Sequence, residues 1–146
     1  MNLLLRTTGE KIVSDLSERV RKARRVFLIG NGGSASNCCH ICNDLENCGI
    51  RAYVMNEATK SAWENDFTHE LVFSKWIVLH GEPGDLLIAL SGSGKSKNIL
   101  NAIEAAQLIG MDVERIFGAP TLGMQEAEEF QVWLGHQVMK ELKQCA

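Results

Sequence analysis

Val26-Phe27-Leu28-Ile29-Gly30-Asn31-Gly32-Gly33-Ser34-Ala35 decides how the chain is read. Four apolar residues in a row suit a short strand buried on both faces, as in a parallel sheet. The glycines that follow let the backbone turn sharply and approach a ligand with no Cβ in the way. A helix starting at Ser34 adds free N–H groups and the positive end of its dipole, so the loop favours an anion. A dinucleotide, a nucleoside triphosphate and a sugar phosphate all fit such a loop, and the rest of the chain has to choose among them.

Upstream, Thr7-Thr8-Gly9-Glu10 has the form of a capping box, with Thr7 as N-cap. Ile12, Val13, Leu16 and Val20 then recur at helical spacing, which predicts an amphipathic helix ending near Arg24. Arg19, Arg21, Lys22, Arg24 and Arg25 read as the solvated face and last turn of that helix. Downstream, the pattern predicts a helix from Ser34 to Asn47 and a strand over 51–55. Asn56 to Glu70 reads as a polar, loop-like stretch with a short helical piece. A helix from Leu71 to Leu79, a turn at Glu82-Pro83-Gly84-Asp85 and the strand Leu86-Leu87-Ile88-Ala89-Leu90 follow. Ser91-Gly92-Ser93-Gly94-Lys95-Ser96 is a second small-residue loop. It leads into a helix from Asn98 to Ile109 with Ile99, Leu100, Ile103, Ala106 and Leu108 inside, closed by Gly110. A short strand over 113–117 and a last helix from Gln125 to Gln144 complete the pattern. Strands alternating with helices specify an α/β fold, a parallel sheet between helical layers.

At 146 residues the chain suits one domain with a sizeable core. A net charge of −3 argues against nucleic-acid binding by phosphate neutralisation. No apolar run approaches the ~20 residues of a membrane span, and Met1 to Arg6 is too short for a signal-peptide core. Cys38, Cys39, Cys42, Cys48 and Cys145 make an odd count, which without a secretory signal suggests reduced thiols in a cytoplasm. Cys38, Cys39 and Cys42 read as small hydrophobes packed on a helix rather than as soft-metal ligands.

Two familiar motifs come close and fail. Gly30 to Ala35 fits G-x-G-x-x-A, but the acid that a dinucleotide site wants about 20 residues on is missing, Glu57 coming late. Gly94-Lys95-Ser96 resembles the close of a P-loop, but Ala89 stands where its first glycine belongs. What survives is two strand-to-helix loops suited to anions. Ser91, Ser93 and Ser96 offer three hydroxyl donors beside backbone N–H groups.

Together these pieces resemble the sugar isomerase (SIS) family, most closely its phosphoheptose isomerase branch. The resemblance rests on Gly30 to Ala35, on His40 with Asp44 four residues later, and on Asn65-Asp66-Phe67. It continues through Leu90 to Asn98 and closes at Leu134-Gly135-His136. It implies a three-layer sandwich over residues 1–146, a single SIS domain with an N-terminal helix, assembled as a homotetramer. The connection between Asp112 and Glu128, which runs through Gly118-Ala119-Pro120-Thr121, is shorter than the family's and leaves room for a sheet one edge strand short.

By resemblance, the phosphate of a sugar phosphate falls to Ser91, Gly92, Ser93 and Ser96. Substrate contacts fall to Asn31, Gly32, Gly33, Asp44, Asn65, Asp66 and Glu128. A zinc site falls to His40, Asp44, Glu128 and His136. Spacing agrees in part: His40 and Asp44 share a helix face, and so, roughly, do Glu128 and His136. Imidazole and carboxylate are ordinary ligands for Zn²⁺. Asp44 replaces the family's longer Glu, and Glu128 its neutral Gln. The implied reaction converts sedoheptulose 7-phosphate to glycero-manno-heptose 7-phosphate, with Asp44 and His136 moving the proton. The rival expectation is a non-catalytic SIS module that binds a sugar phosphate or a protein partner.

Overall fold

The computed structural model describes residues 3–118 and 122–144. Strands β1 (Val26–Ile29), β2 (Ala52–Val54), β3 (Leu86–Ser91) and β4 (Asp112–Phe117) are all parallel, in the order β2-β1-β3-β4. The register sets Phe27 beside Tyr53 on one side and Leu87 on the other. The central pair, β1 and β3, is buried along its whole length, which is why both are apolar runs, broken only by Ser91 at the end of β3. The helices are α1 (Leu3–Lys22), α2 (Gly32–Asn47), α3 (Glu57–Asp66), α4 (Val72–His80), α5 (Lys97–Ile109) and α6 (Met124–Gln144).

Alternation along the strands divides the core in two. Val26, Leu28, Leu86, Ile88 and Leu90 pack with Leu16, Val20, Ile41, Leu45, Leu134 and Val138, so α1, α2 and α6 cover one face. Phe27, Ile29, Leu87 and Ala89 pack with Phe73, Ile77, Ile99 and Ile103, so α4 and α5 cover the other. The expected α/β sandwich forms, with four strands among the described residues. No helix among those residues is long and apolar enough to cross a membrane.

Several local expectations are corrected. α1 already runs at Leu3, so Thr7 lies inside the helix and is not its N-cap. Leucine is a good helix former, and Leu3-Leu4-Leu5 carries the helix past the capping-box signature. α2 starts at Gly32, two residues before Ser34, with Asn31 as N-cap. Residues 56–70 are more regular than a polar loop. Asn56 caps α3 by accepting from the Ala58 and Thr59 N–H groups, and Thr68 caps a 3-10 turn at His69–Leu71. α3 buries none of its residues, so it has no apolar stripe for the sequence to reveal. Leu100 and Leu108 are 42% and 83% exposed, because α5 turns the Ile99, Ala102, Ile103 and Ala106 side inward. Cys38 and Cys42 are buried as expected but Cys39 is exposed. Burial pushes the Cys42 thiol up to about 11 and Cys38 further, so both stay protonated. Ala119, Pro120, Thr121 and Cys145 lie outside the described residues.

The basic stretch is not merely a solvated face. Arg19 forks onto Asp112, with Nε to Oδ2 at 2.8 Å and Nη2 to Oδ1 at 3.0 Å, and its Nη1 reaches Glu114 Oε2 at 2.7 Å. It thereby ties α1 to the edge strand β4. Arg25 Nη2 pairs at 2.8 Å with Asp85, which is fully buried, and Arg24 pairs with Glu82. The Arg19 guanidinium holds the Asp112 carboxyl below its ordinary range. A lowered carboxyl contributes stability above its unfolded-state pKa and loses it as pH falls through the folded one. Replacing Arg19 by Met leaves Asp112 and Glu114 side by side and is expected to cost about 1–3 kcal/mol in urea denaturation at pH 7. The difference between Arg19→Met and the parent chain should shrink below about pH 4.

Candidate functional site

Strand order reverses between β1 and β3, since their next connections leave to opposite sides of the sheet. In open parallel sheets the crevice beyond the strand ends at such a point is where ligands bind. Here it lies between the Gly30 loop and the serine loop. A Cβ on Gly30 would sit 2.9 Å from the Ser34 carbonyl, and Gly32 has φ of +54°, so glycine is required at the turn that launches α2.

Asn31 makes no side-chain cap bond on α2. Its amide instead pairs with that of Asn98 in the first turn of α5. Asn31 Nδ2 donates to Asn98 Oδ1 and Asn98 Nδ2 donates back to Asn31 Oδ1, each at 2.9 Å. Asn98 is buried, and the pair bridges the two loops across the crevice. In the serine loop, Ser91 Oγ accepts from the Gly94 N–H at 3.0 Å and Ser93 Oγ accepts from the Lys95 N–H at 3.1 Å. Acceptance by oxygen leaves each hydroxyl proton to donate elsewhere. Ser96 is the N-cap of α5 with no side-chain cap bond, so its hydroxyl is also uncommitted to the helix. A Cβ on Gly92 would run into Met124, which places the start of α6 against this loop. Asn65 and Asp66 end α3 with exposed side chains. Among the described residues no hydrogen bond joins them to the serine loop or to the histidines discussed next.

On the α2–α6 seam, His40 Nε2 lies 2.8 Å from His136 Nε2. Asp44 Oδ2 lies 3.4 Å from the first nitrogen and 3.9 Å from the second. That oxygen is buried and has no hydrogen-bond partner. One ligand atom from each of the three residues falls within 4.8 Å of the others. Two nitrogens on a tetrahedral zinc are about 3.3 Å apart, so the histidine pair fits a metal after opening slightly. An orphaned buried carboxylate oxygen facing two imidazoles is also the donor set such an ion requires.

Glu128 does not join this group. Eight residues of helix, about 12 Å along the axis, lie between it and His136, and its carboxylate is turned away from the three converging ligand atoms. Its carboxylate lies against Gly33 instead, in the space a Cβ there would take, and it lines an open cleft with Asn37, Trp133 and His136. A carboxylate there also meets the positive end of α2.

Two features missed by the sequence reading hold this seam together. Gly135 lies so close to α2 that a Cβ on it would sit 2.6 Å from Ile41 Cγ1. Gln131 is buried, accepting from Asn37 Nδ2 at 2.9 Å and donating to Ser34 Oγ at 3.0 Å. Asn37 shares a helix face with His40 and Asp44, and that spacing was the signal available for it.

The SIS domain family model matches residues 9–117. The chain belongs to the SIS domain family. Among curated proteins it is similar to a phosphoheptose isomerase of Rhodospirillum rubrum, 39% identical over 108 residues, covering 68% of this chain and 57% of that protein. It is 33% identical over 110 residues to a phosphoheptose isomerase of Crocosphaera subtropica, covering 70% of this chain and 56% of that protein. The chain thus spans little more than half the length of these relatives. The fold is similar to a solved phosphoheptose isomerase from Neisseria gonorrhoeae, with TM-score 0.84 and 22% identity, covering 97% of this chain and 92% of that one.

Gly135→Ala forces α6 away from α2 and is expected to cost about 1–3 kcal/mol of stability. If the three-residue group holds a divalent ion such as zinc, the same change is expected to weaken that binding about tenfold, as displaced supporting contacts do. Urea denaturation and zinc titration of the same preparation check both.

Proposed function

We propose that the chain is an aldose–ketose phosphosugar isomerase converting sedoheptulose 7-phosphate to glycero-manno-heptose 7-phosphate. The observation that carries this reading is the convergence of His40, Asp44 and His136 on one point in a chain of the SIS family. The named relatives support the choice of substrate.

In this reading the hydroxyls of Ser91, Ser93 and Ser96, the Gly92 backbone and the first N–H groups of α5 hold the phosphate. Asn31, Gly32, Gly33, Asn65, Asp66 and Glu128 contact the sugar, and their role is orientation. Asp44 takes the proton from carbon 1 of the open ketose while His136 protonates the carbonyl oxygen, giving the enediol. Asp44 then returns its proton to carbon 2, and His136 recovers a proton from the oxygen on carbon 1, giving the aldose. Zinc held by His40, Asp44 and His136 would supply Lewis-acid polarisation of the carbonyl in place of the His136 proton, because an Nε2 that ligates an ion carries none. By resemblance to the family, the proposed enzyme is a cytoplasmic homotetramer in which residues 1–146 act as one SIS domain.

The second reading is a non-catalytic SIS module, favoured by the position of Glu128 outside the three-residue group. An isomerase assay with and without chelator, alongside metal analysis, separates the two. About one zinc per chain and turnover lost on chelation and restored by zinc are the expected results. Asp44→Asn is expected to lower kcat about 10²- to 10⁴-fold with little change in KM. Tight binding of the sugar phosphate with neither metal nor turnover would establish the module instead.

A further inference from the structure

The amide bridge between Asn31 and Asn98 has two equivalent settings. Turning both amides by half a rotation about their last bond exchanges oxygen for nitrogen and leaves the two mutual bonds intact. Something outside the pair must choose between them. The candidate is His69, in the 3-10 turn after α3. Its Nε2 lies 3.3 Å from Asn98 Nδ2, and its Nδ1 lies 3.2 Å from Glu64 Oε1.

A carboxylate at Nδ1 favours the tautomer that carries its proton there, which leaves Nε2 as an acceptor. The two N–H groups of Asn98 are then both used, one on Asn31 Oδ1 and one on His69 Nε2. The opposite setting would place the Asn98 carbonyl oxygen against the Nε2 lone pair. We propose that His69, held by Glu64, is a positioning residue that sets the amide orientation of Asn98 and through it of Asn31. The donor and acceptor that Asn31 turns toward the crevice are thereby fixed. The consequence for substrate rests on the isomerase reading, while the orientation itself does not.

The arrangement ties the amide setting to which His69 ring nitrogen carries a proton. A proton on Nε2 puts an N–H against an N–H, and the pair relaxes by exchanging both amides. Asn31 then offers the crevice its groups in reverse. Among the described residues, Glu70 is next to His69 in its own turn and the neighbouring elements add the following charged groups. α3 contributes Glu64, with Lys60 Nζ 3.6 Å from the same carboxylate oxygen. α5 contributes neutral Asn98 and Lys97, which pairs with Glu70 at 3.5 Å. α4 contributes Lys75, whose ammonium sits 3.9 Å over the Phe67 ring.

The test uses the full chain labelled with nitrogen-15. His69 ring nitrogens and the Asn31 and Asn98 side-chain amides are followed by NMR from pH 8 to pH 5. At pH 8 His69 is expected to be protonated on Nδ1 alone. Any change in the protonation of Nε2 over that range should be matched by a shift of the two amides. In His69→Gln, which keeps an acceptor but cannot titrate in this range, they should hold their pH 8 positions. A proton on Nε2 at pH 8, amides that ignore the His69 titration, or amides that titrate equally in His69→Gln would each overturn the proposal.

Kinetics with sedoheptulose 7-phosphate at pH 8 give a second reading. His69→Leu is expected to raise KM about five- to tenfold with kcat changed less, as for one lost orienting hydrogen bond. His69→Gln should recover most of that loss, and an equal loss in both variants would mean a purely structural role. If the parent chain does not turn over this sugar, the isomerase reading fails and the amide titration still decides the role of His69.

Discussion

The absent Cβ of Gly135 is the constraint on which the candidate site depends. It lets α6 lie against Ile41 of α2 closely enough for His136 to meet His40. A close backbone approach of this kind would be loose in register if only apolar side chains filled it. Gln131 removes that freedom, because its amide is satisfied by Ser34 and Asn37 at one relative position of the two helices. A buried amide with both ends satisfied escapes the penalty of burial, and it specifies one arrangement where a leucine would tolerate several. The unpartnered oxygen of Asp44 is the exception that this seam keeps.

A second constraint acts across the sheet. β1 and β3 end side by side, and each must turn into a helix without blocking the crevice between them. Glycine solves the turn after β1, and serine hydroxyls accepting backbone N–H groups solve the turn after β3. Two helix starts of the kind that suits an anion result, and they are not equivalent. The Glu128 carboxylate already lies against the first turn of α2, while the start of α5 has the hydroxyls of Ser91, Ser93 and Ser96 about it and carries Lys95 and Lys97. A carboxylate at the first and cations at the second make the serine loop the better suited of the two to an anion.

Much of this was legible in the sequence because burial on both faces writes an unambiguous signal. Leu86 to Leu90 and Val26 to Ile29 are apolar without interruption, and their strands stand where that pattern puts them. His40 and Asp44 share a helix face by spacing alone, and the structure brings them to His136. The convergence of α2 and α6 is a tertiary fact. No periodicity in either helix reports it, and the glycine that permits it reads as a weak helix residue. The extent of α3 was missed for the opposite reason: it buries no residue fully, Trp63, its one aromatic residue, leans on the core, and its start is marked by one Asn56 cap. Arg19 and Arg25 looked like solvent-facing charges because their partners, Asp112, Glu114 and Asp85, come from the far end of the chain or beyond a turn. Asn98 was visible only as part of a motif, and its bond to Asn31 needed the strand order to appear.

The central claim is that Asp44 carries a proton between neighbouring carbons of a phosphosugar. Its most direct measurement is isomerisation of sedoheptulose 7-phosphate in heavy water, with the label at carbon 2 of the heptose product read by mass spectrometry and NMR. A carboxylate that exchanges with solvent during the enediol lifetime leaves deuterium at carbon 2, and Asp44→Asn should abolish both the product and its label. Undiminished label in Asp44→Asn, or no product from the parent chain loaded with zinc, would contradict the assignment.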